Sequence, residues 1–250
     1  MLFREDAGGL IAVSQPTHAW ISGQLLRALP GPFPEALYLT AEQHDIAWLD
    51  WEIEPTFDAA AGRPHLFRDV GVHLHAPMWL KGVERALAAY GPHVALLVSR
   101  HGGVIYRRFW MRHQHEERDK VAAKLYLETQ SPREAQWAET LGLSAADLEF
   151  QSDMIAFVDM LSLALCGELK PPLELPLPVH GGAARTLTLQ GAPGADYEFT
   201  LAPWPFVKDS LLFEGEGRRL RRSYDGEAAF REDFGKAPRA TIAARLTKGD

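Results

Sequence analysis

The periodicity of the chain changes near residue 170, and that change limits the fold more than any single motif does. Upstream, apolar residues recur at helical spacing in "PTHAWISGQLLRAL" (16–29), "PEALYLTAEQHDIAWLDWE" (34–52), "APMWLKGVERALAAYG" (76–91) and "PHVALLVSRHG" (92–102). Pro16, Pro77 and Pro92 fall where the first turn of a helix tolerates proline, and Gly91 falls where a helix stops. "RHQHEERDKVAAKLYLETQ" (112–130) reads as an exposed helix, and "SAADLEFQSDMIAFVDMLSLALC" (144–166) as a buried one opened by Ser144 as N-cap. After "LKPPLELPLP" the pattern alternates, in "RTLTLQ", "YEFTLAPWPF", "SLLFEGEGRRLRRSY" and "ATIAARL". "LFRED" and "LIAVSQ" around Ala7-Gly8-Gly9 read as a hairpin joining those late strands. The expectation is a mainly α fold: a helical domain over 14–169, with the hairpin of 1–13 and a β-rich appendage over 170–250 forming a small antiparallel sheet.

Composition excludes several functional classes. A 250-residue chain that is 46% hydrophobic and 24% charged has the make-up of an ordinary globular protein with a sizeable core. Its net charge of -7 offers no long-range attraction for nucleic acid or an anionic membrane. The single cysteine, Cys166, has no partner for an internal disulfide or a thiolate zinc site, which fits a reducing cytoplasm. Arg4, Glu5 and Asp6 occupy the place where a signal peptide needs apolar residues, and no segment is long and apolar enough to span a membrane. The expected protein is cytoplasmic, and the expected partner is a small-molecule substrate.

The candidate chemistry lies in the histidines and acids of the helical part. His18, His44, Asp45, His75, His101 and Asp159 fall on five separate helical segments, each among apolar neighbours. Asp159 within "MIAFVDMLSLALC" is the sharpest of them, because a carboxylate buried in such a helix is costly without a cation or donor beside it. Imidazoles and carboxylates together make a ligand set suited to Fe, Mn, Zn, Co or Ni. "VHLHAP" offers both His73 and His75, of which His75 is preferred. His65, His93, His113, His115 and His180 sit in polar or loop contexts and read as surface residues.

This order, His, then His-Asp, then further His, then a late helical Asp, resembles the HD-domain superfamily of helical metalloenzymes. The resemblance implies an HD-domain-like helical bundle in which His18, His44, Asp45 and Asp159 hold one divalent metal. His75 and His101 match the additional pair that holds a second, with Asp45 bridging the two ions, and Asp45, His75 and His101 are the expected catalytic residues. The phrases "HDIAWLDWE", "LLVSRHG" and "APWPF" also resemble the bacterial family called domain of unknown function 3891, over nearly the whole chain.

One departure bears on the substrate. Many HD phosphohydrolases follow the dyad with Gly and then Lys or His, whereas Ala47 and Trp48 stand here. Trp48, Lys81 and Arg100 are the candidate substrate-binding residues. The expected function is hydrolysis of a phosphate ester or nucleotide with two divalent metal ions. The alternatives are a mixed-valence di-iron oxygenase of the same superfamily, or a non-catalytic metal-stabilised binding domain.

Overall fold

The computed structural model describes residues 1–6, 8–109 and 116–249. The opening hairpin consists of β1 (Leu2–Asp6) and β2 (Gly9–Val13). The helical layer follows with α1 (Gln15–Ala28), α2 (Glu35–Gln43), the short α3 (Leu49–Ile53), α4 (Val72–Tyr90), α5 (Pro92–Val104), α6 (Glu117–Thr140) and α7 (Ala145–Leu165). A two-residue pairing, β3 (Phe57–Asp58) with β4 (Arg63–Pro64), lies between α3 and α4. The chain ends in β5 (Leu173–Leu177), β6 (Arg185–Gly191), β7 (Glu198–Ala202), β8 (Ser210–Leu220), α8 (Glu227–Phe234) and β9 (Arg239–Lys248).

The sheet overturns the expectation of a mainly α, HD-domain-like bundle with a small antiparallel appendage. Seven strands form one sheet in the order β1-β2-β8-β9-β7-β6-β5. It is mixed: β9 runs parallel to β7 and antiparallel to β8. The sheet also curls, so that Arg4 on β1 donates to the Ala243 carbonyl on β9 although β2 and β8 lie between them in the strand order. β8 and β9 are the long strands, 11 and 10 residues, and their inward positions Phe213, Ile242, Ala244 and Leu246 are buried. This sheet is a full layer, and the protein is an α+β fold.

The inner face of the sheet packs on α1 and α7. Leu25, Phe157, Leu161 and Leu165 meet Leu187, Leu201 and Leu246 in one core cluster. α1 crosses so close to β8 that a Cβ on Gly215 would lie 2.7 Å from Thr17 Cγ2. A second cluster, with Trp79, Val83, Val98 and Tyr126, holds α4, α5 and α6 together. Replacing Phe157 by Ala would cost about 3–5 kcal/mol, as for other fully buried aromatics.

The helices differ from the sequence reading at informative places. The expected helix over 34–52 breaks at the dyad: α2 ends at Gln43, Asp45 has φ -103° and ψ 16°, and a 3-10 turn covers Ile46–Trp48. α4 begins five residues before Pro77, which lies inside the helix, so His73 and His75 belong to its first turns. Pro92 and Gly91 do sit at the α5 start and the α4 stop, where Gly91 takes φ 85°. α7 opens with a reciprocal cap in which Ser144 Oγ accepts from the Asp147 amide and Asp147 accepts from the Ser144 amide, both at 3.1 Å. α6 continues through Pro132 to Thr140, while residues 112–115 of the expected exposed helix, including His113 and His115, lie outside the described residues. Among the described residues no helix is long and apolar enough to cross a membrane.

Candidate metal centre

Four elements bring five of the candidate ligands together: His18 from α1, His44 and Asp45 from the break after α2, His101 from α5 and Asp159 from α7. The break is built by the ligand itself, since His44 Nδ1–H donates to the Ala41 carbonyl at 3.0 Å and so satisfies a C-terminal acceptor of α2. Ala47 has to be small, because a Cβ on Gly82 of α4 would already lie 2.7 Å from the Ala47 Cβ. That close approach accounts for the small residue two places after the dyad.

His18 Nε2 lies 2.7 Å from Asp45 Oδ2 and 3.7 Å from Asp159 Oδ1. His44 Nε2 lies 3.5 Å from Asp159 Oδ1 and 3.7 Å from Asp45 Oδ2, and His101 Nε2 lies 3.9 Å from Asp159 Oδ2. Ligand atoms about 2.0–2.2 Å from a shared cation are about 3–4 Å from each other, the range of most of these separations. Two triads, His18/His44/Asp159 and His44/Asp45/His101, have ligand atoms all within 4.8 Å of one another and share His44. His18 and His44 are fully buried, while the Asp159 side chain keeps 17% exposure and marks the open side.

The second partners of the imidazoles decide what the cluster wants. Ser162 Oγ donates to the Asp159 carbonyl and accepts from Ser22 Oγ, which leaves it to accept from His18 Nδ1–H at 2.7 Å. His44 likewise donates its Nδ1–H to the Ala41 carbonyl. A second proton on either ring, or a metal ion, is then what can lie between Nε2 and the carboxylate oxygens, because a bare Nε2 lone pair facing them is repulsive. Among the described residues, buried His44 Nε2 has no partner of normal hydrogen-bond geometry, its nearest carboxylate oxygen being Asp159 Oδ1 at 3.5 Å.

Without a metal, a proton on His44 supplies that positive charge. Burial opposes a charge on His44, yet the carboxylates of Asp45 and Asp159 outweigh it and raise its pKa to about 9. Burial favours a protonated Asp159, but its contact with His44 and the neighbouring imidazoles lower it to about 2, and Asp45 is lowered against burial in the same way. Burial, reinforced by His44, pushes His101 down to about 4. The donor set fits a divalent cation: two hard oxygens and three borderline nitrogens, with the rings already oriented by acceptors behind them.

The remaining candidates lie elsewhere. His75 is not in either triad; its Nδ1 is 2.8 Å from Tyr106 Oη, and burial lowers its pKa to about 4. His73 contacts Asp119 on α6 at 2.7 Å. Trp48 is buried and its ring lies 5.6 Å from that of His75. Lys81 is exposed and acts on Asp50, whose closest partner is Arg85. Arg100 donates from Nε to Ser152 Oγ at 2.7 Å. Ser22, Ser162 and Tyr106 are the functional neighbours that the sequence reading missed. For the serines a signal existed: each is a small hydroxyl one helical turn from a ligand, in His18+4 and Asp159+3 register, on an otherwise apolar face.

The fold and the site define a class: an α+β protein whose helical layer encloses a cluster of three imidazoles and two carboxylates. The family profile described as "Protein of unknown function (DUF3891)" matches residues 1–222, and the chain belongs to that family. Comparison with curated proteins and with solved structures gives no match.

Proposed function

We propose that the protein is a divalent-metal-dependent hydrolase of phosphate esters or nucleotides that uses the HD-type ligand order. One observation carries the reading: His44 Nε2, buried between the carboxylates of Asp45 and Asp159, is shared by two triads of converging ligand atoms. His18, His44, Asp45, His101 and Asp159 would hold the ion. When bound, a divalent cation supplies Lewis acidity and lowers the pKa of a coordinated water to near neutrality.

The chain's own residues do the rest. Ser162 and the Ala41 carbonyl hold the imidazoles in the tautomer that offers Nε2. Trp79, 5.6 Å from the His101 ring, and Trp48 keep bulk water from the buried side. Asp159, the most exposed ligand, stands on the side from which a substrate would approach.

The test is elemental analysis of anaerobically purified protein, with electron paramagnetic resonance and an assay on bis(p-nitrophenyl) phosphate. The expected result is stoichiometric redox-silent metal and hydrolysis abolished by chelation. A mixed-valence di-iron signal would replace the hydrolase with an oxygenase. Metal without turnover would leave a metal-stabilised binding domain, and no stoichiometric metal would end the reading.

A further inference from the structure

His75 is gripped in a way that a metal ligand does not need. Its ring lies nearly parallel to Tyr106, at 12° and 5.5 Å between centroids, and leans on Trp48 at 35° and 5.6 Å. Its Nδ1 is 2.8 Å from Tyr106 Oη. Tyr106 is itself immobilised: it is 1% exposed and its ring meets Tyr126 edge-on at 5.0 Å, while Tyr126 donates to the Ser99 carbonyl at 2.9 Å. A buried phenol needs an acceptor for its proton, and His75 Nδ1 faces it. The proton of the neutral imidazole is then on Nε2.

The place of this ring matters as much as its tautomer. His75 and Trp79 are one turn apart on the same face of α4, and Trp79 packs against the His101 ligand. Trp48, the other wall of the His75 slot, follows Asp45 by three residues and donates its amide to the Asp45 carbonyl at 3.0 Å. His75 therefore stands beside the centre and is absent from both groups of converging ligand atoms. His75 is half-buried, so part of it meets solvent.

From this geometry we infer that His75 is a fixed hydrogen-bond donor to substrate, not a ligand: Tyr106 holds it so that Nε2–H meets an oxygen of a phosphoryl group bound at the metal centre. The inference rests on the hydrolase reading and names the oxygen-rich anion that the site takes. Among the described cations, Lys81 and Arg100 are engaged or exposed elsewhere, so a neutral N–H supplies part of the anion recognition that the dyad's missing cation would give.

The experiment uses zinc-loaded full-length protein and inorganic phosphate as probe. Parent, His75→Leu, His75→Gln and Tyr106→Phe are compared for bound zinc by elemental analysis and for phosphate affinity by calorimetry, with thermal unfolding as the folding control. All four should hold the same zinc. His75→Leu should weaken phosphate at least about 10-fold, the loss of one hydrogen bond to a charged acceptor. His75→Gln keeps an N–H at the Nε2 position and should recover part of that loss, and Tyr106→Phe should lie between it and the parent.

Loss of zinc in both His75 variants would make His75 a ligand and overturn the inference. Equal phosphate affinity in parent and His75→Leu would make it a packing residue and overturn it as well, as would a zinc-loaded parent that binds no phosphate. A parent that binds no zinc fails at the earlier step and identifies the hydrolase reading as the one at fault.

Discussion

Two His–Asp contacts of equal length sit on neighbouring parts of this molecule and do different things. His18 Nε2 meets Asp45 and His73 Nδ1 meets Asp119, both at 2.7 Å. Asp119 also accepts the backbone amide of His73 at 2.8 Å, so it caps the first turn of α4 and the imidazole N–H simply adds a second donor. His73 keeps 27% exposure, which leaves its other nitrogen in reach of water. His18 has no exposure, and its spare nitrogen is committed to Ser162. The difference lies in the third partner. Where the second ring nitrogen is free, a His–Asp contact is an ordinary hydrogen bond; where it already donates to another acceptor, the contact needs a second ring proton or a metal ion between the two.

The comparison breaks most decisively at the carboxylates. Asp45→Asn should weaken zinc or manganese by more than about 100-fold, beyond what an outer partner of a ligand contributes, while Asp119→Asn leaves metal content unchanged. Elemental analysis of the two variants beside the parent checks this. Equal metal loss in both, or in neither, would remove the distinction.

Ser162→Ala tests the third partner directly. It frees the His18 tautomer and should lower metal affinity by about 10–100-fold with the fold intact. Competition against a chromophoric chelator reads the change, and an unaltered affinity would show that Ser162 does not orient His18.

Acidity separates the two sites further. His44 is raised to about 9, so metal has to displace a proton from it below that pH, and affinity should climb about tenfold per pH unit until the slope flattens near pH 9. Metal-free stability follows the folded and unfolded pKa values. The His44 contribution is complete below 6.5 and is lost as pH rises through about 9. His75 and His101, both lowered to about 4, act oppositely: between pH 6.5 and about 4 the unfolded chain binds protons that the folded chain refuses, so stability falls as pH falls. Urea unfolding at pH 5, 7 and 9 should find the metal-free chain most stable at the middle value.

The smallest effect belongs to the cap. Asp119→Asn should cost about 1 kcal/mol or less, because an asparagine still accepts from the α4 amides. Chemical denaturation measures it, and a larger loss would mean that His73–Asp119 is more than a cap.

Much of the centre was legible because burial of polar residues is visible in a sequence. Asp159 among Phe157, Val158 and Leu161 announces a carboxylate that needs company, and His18 beside Trp20 and Ile21 does the same for α1. The break at His44 was not legible, since its cause is a ring that bonds back to Ala41, and periodicity carries no trace of that bond. The α4 start was hidden by Pro77, whose place inside the helix costs one backbone bond that tertiary packing makes good. The sheet was underestimated for another reason. Alternation marks strands but not partners, so nothing local reveals that β9 inserts between β8 and β7 or that β5, written "LELPL" with a proline, forms an edge.

That inserted strand has a consequence for how the chain is made. Leu10 of β2 pairs with Leu220 of β8, and β8 in turn waits for β9 before its other edge is covered. During synthesis the hairpin of β1 and β2 emerges well before β8 and is marginal by itself. It cannot take its neighbour until some two hundred further residues have left the ribosome. An unpaired strand edge is open to the wrong partner for that whole interval, and pairings this distant in sequence close slowly. Arg4, Glu5 and Asp6 charge only β1, the outer strand of the hairpin, so the waiting edge of β2, written GLIAV, carries no charge of its own.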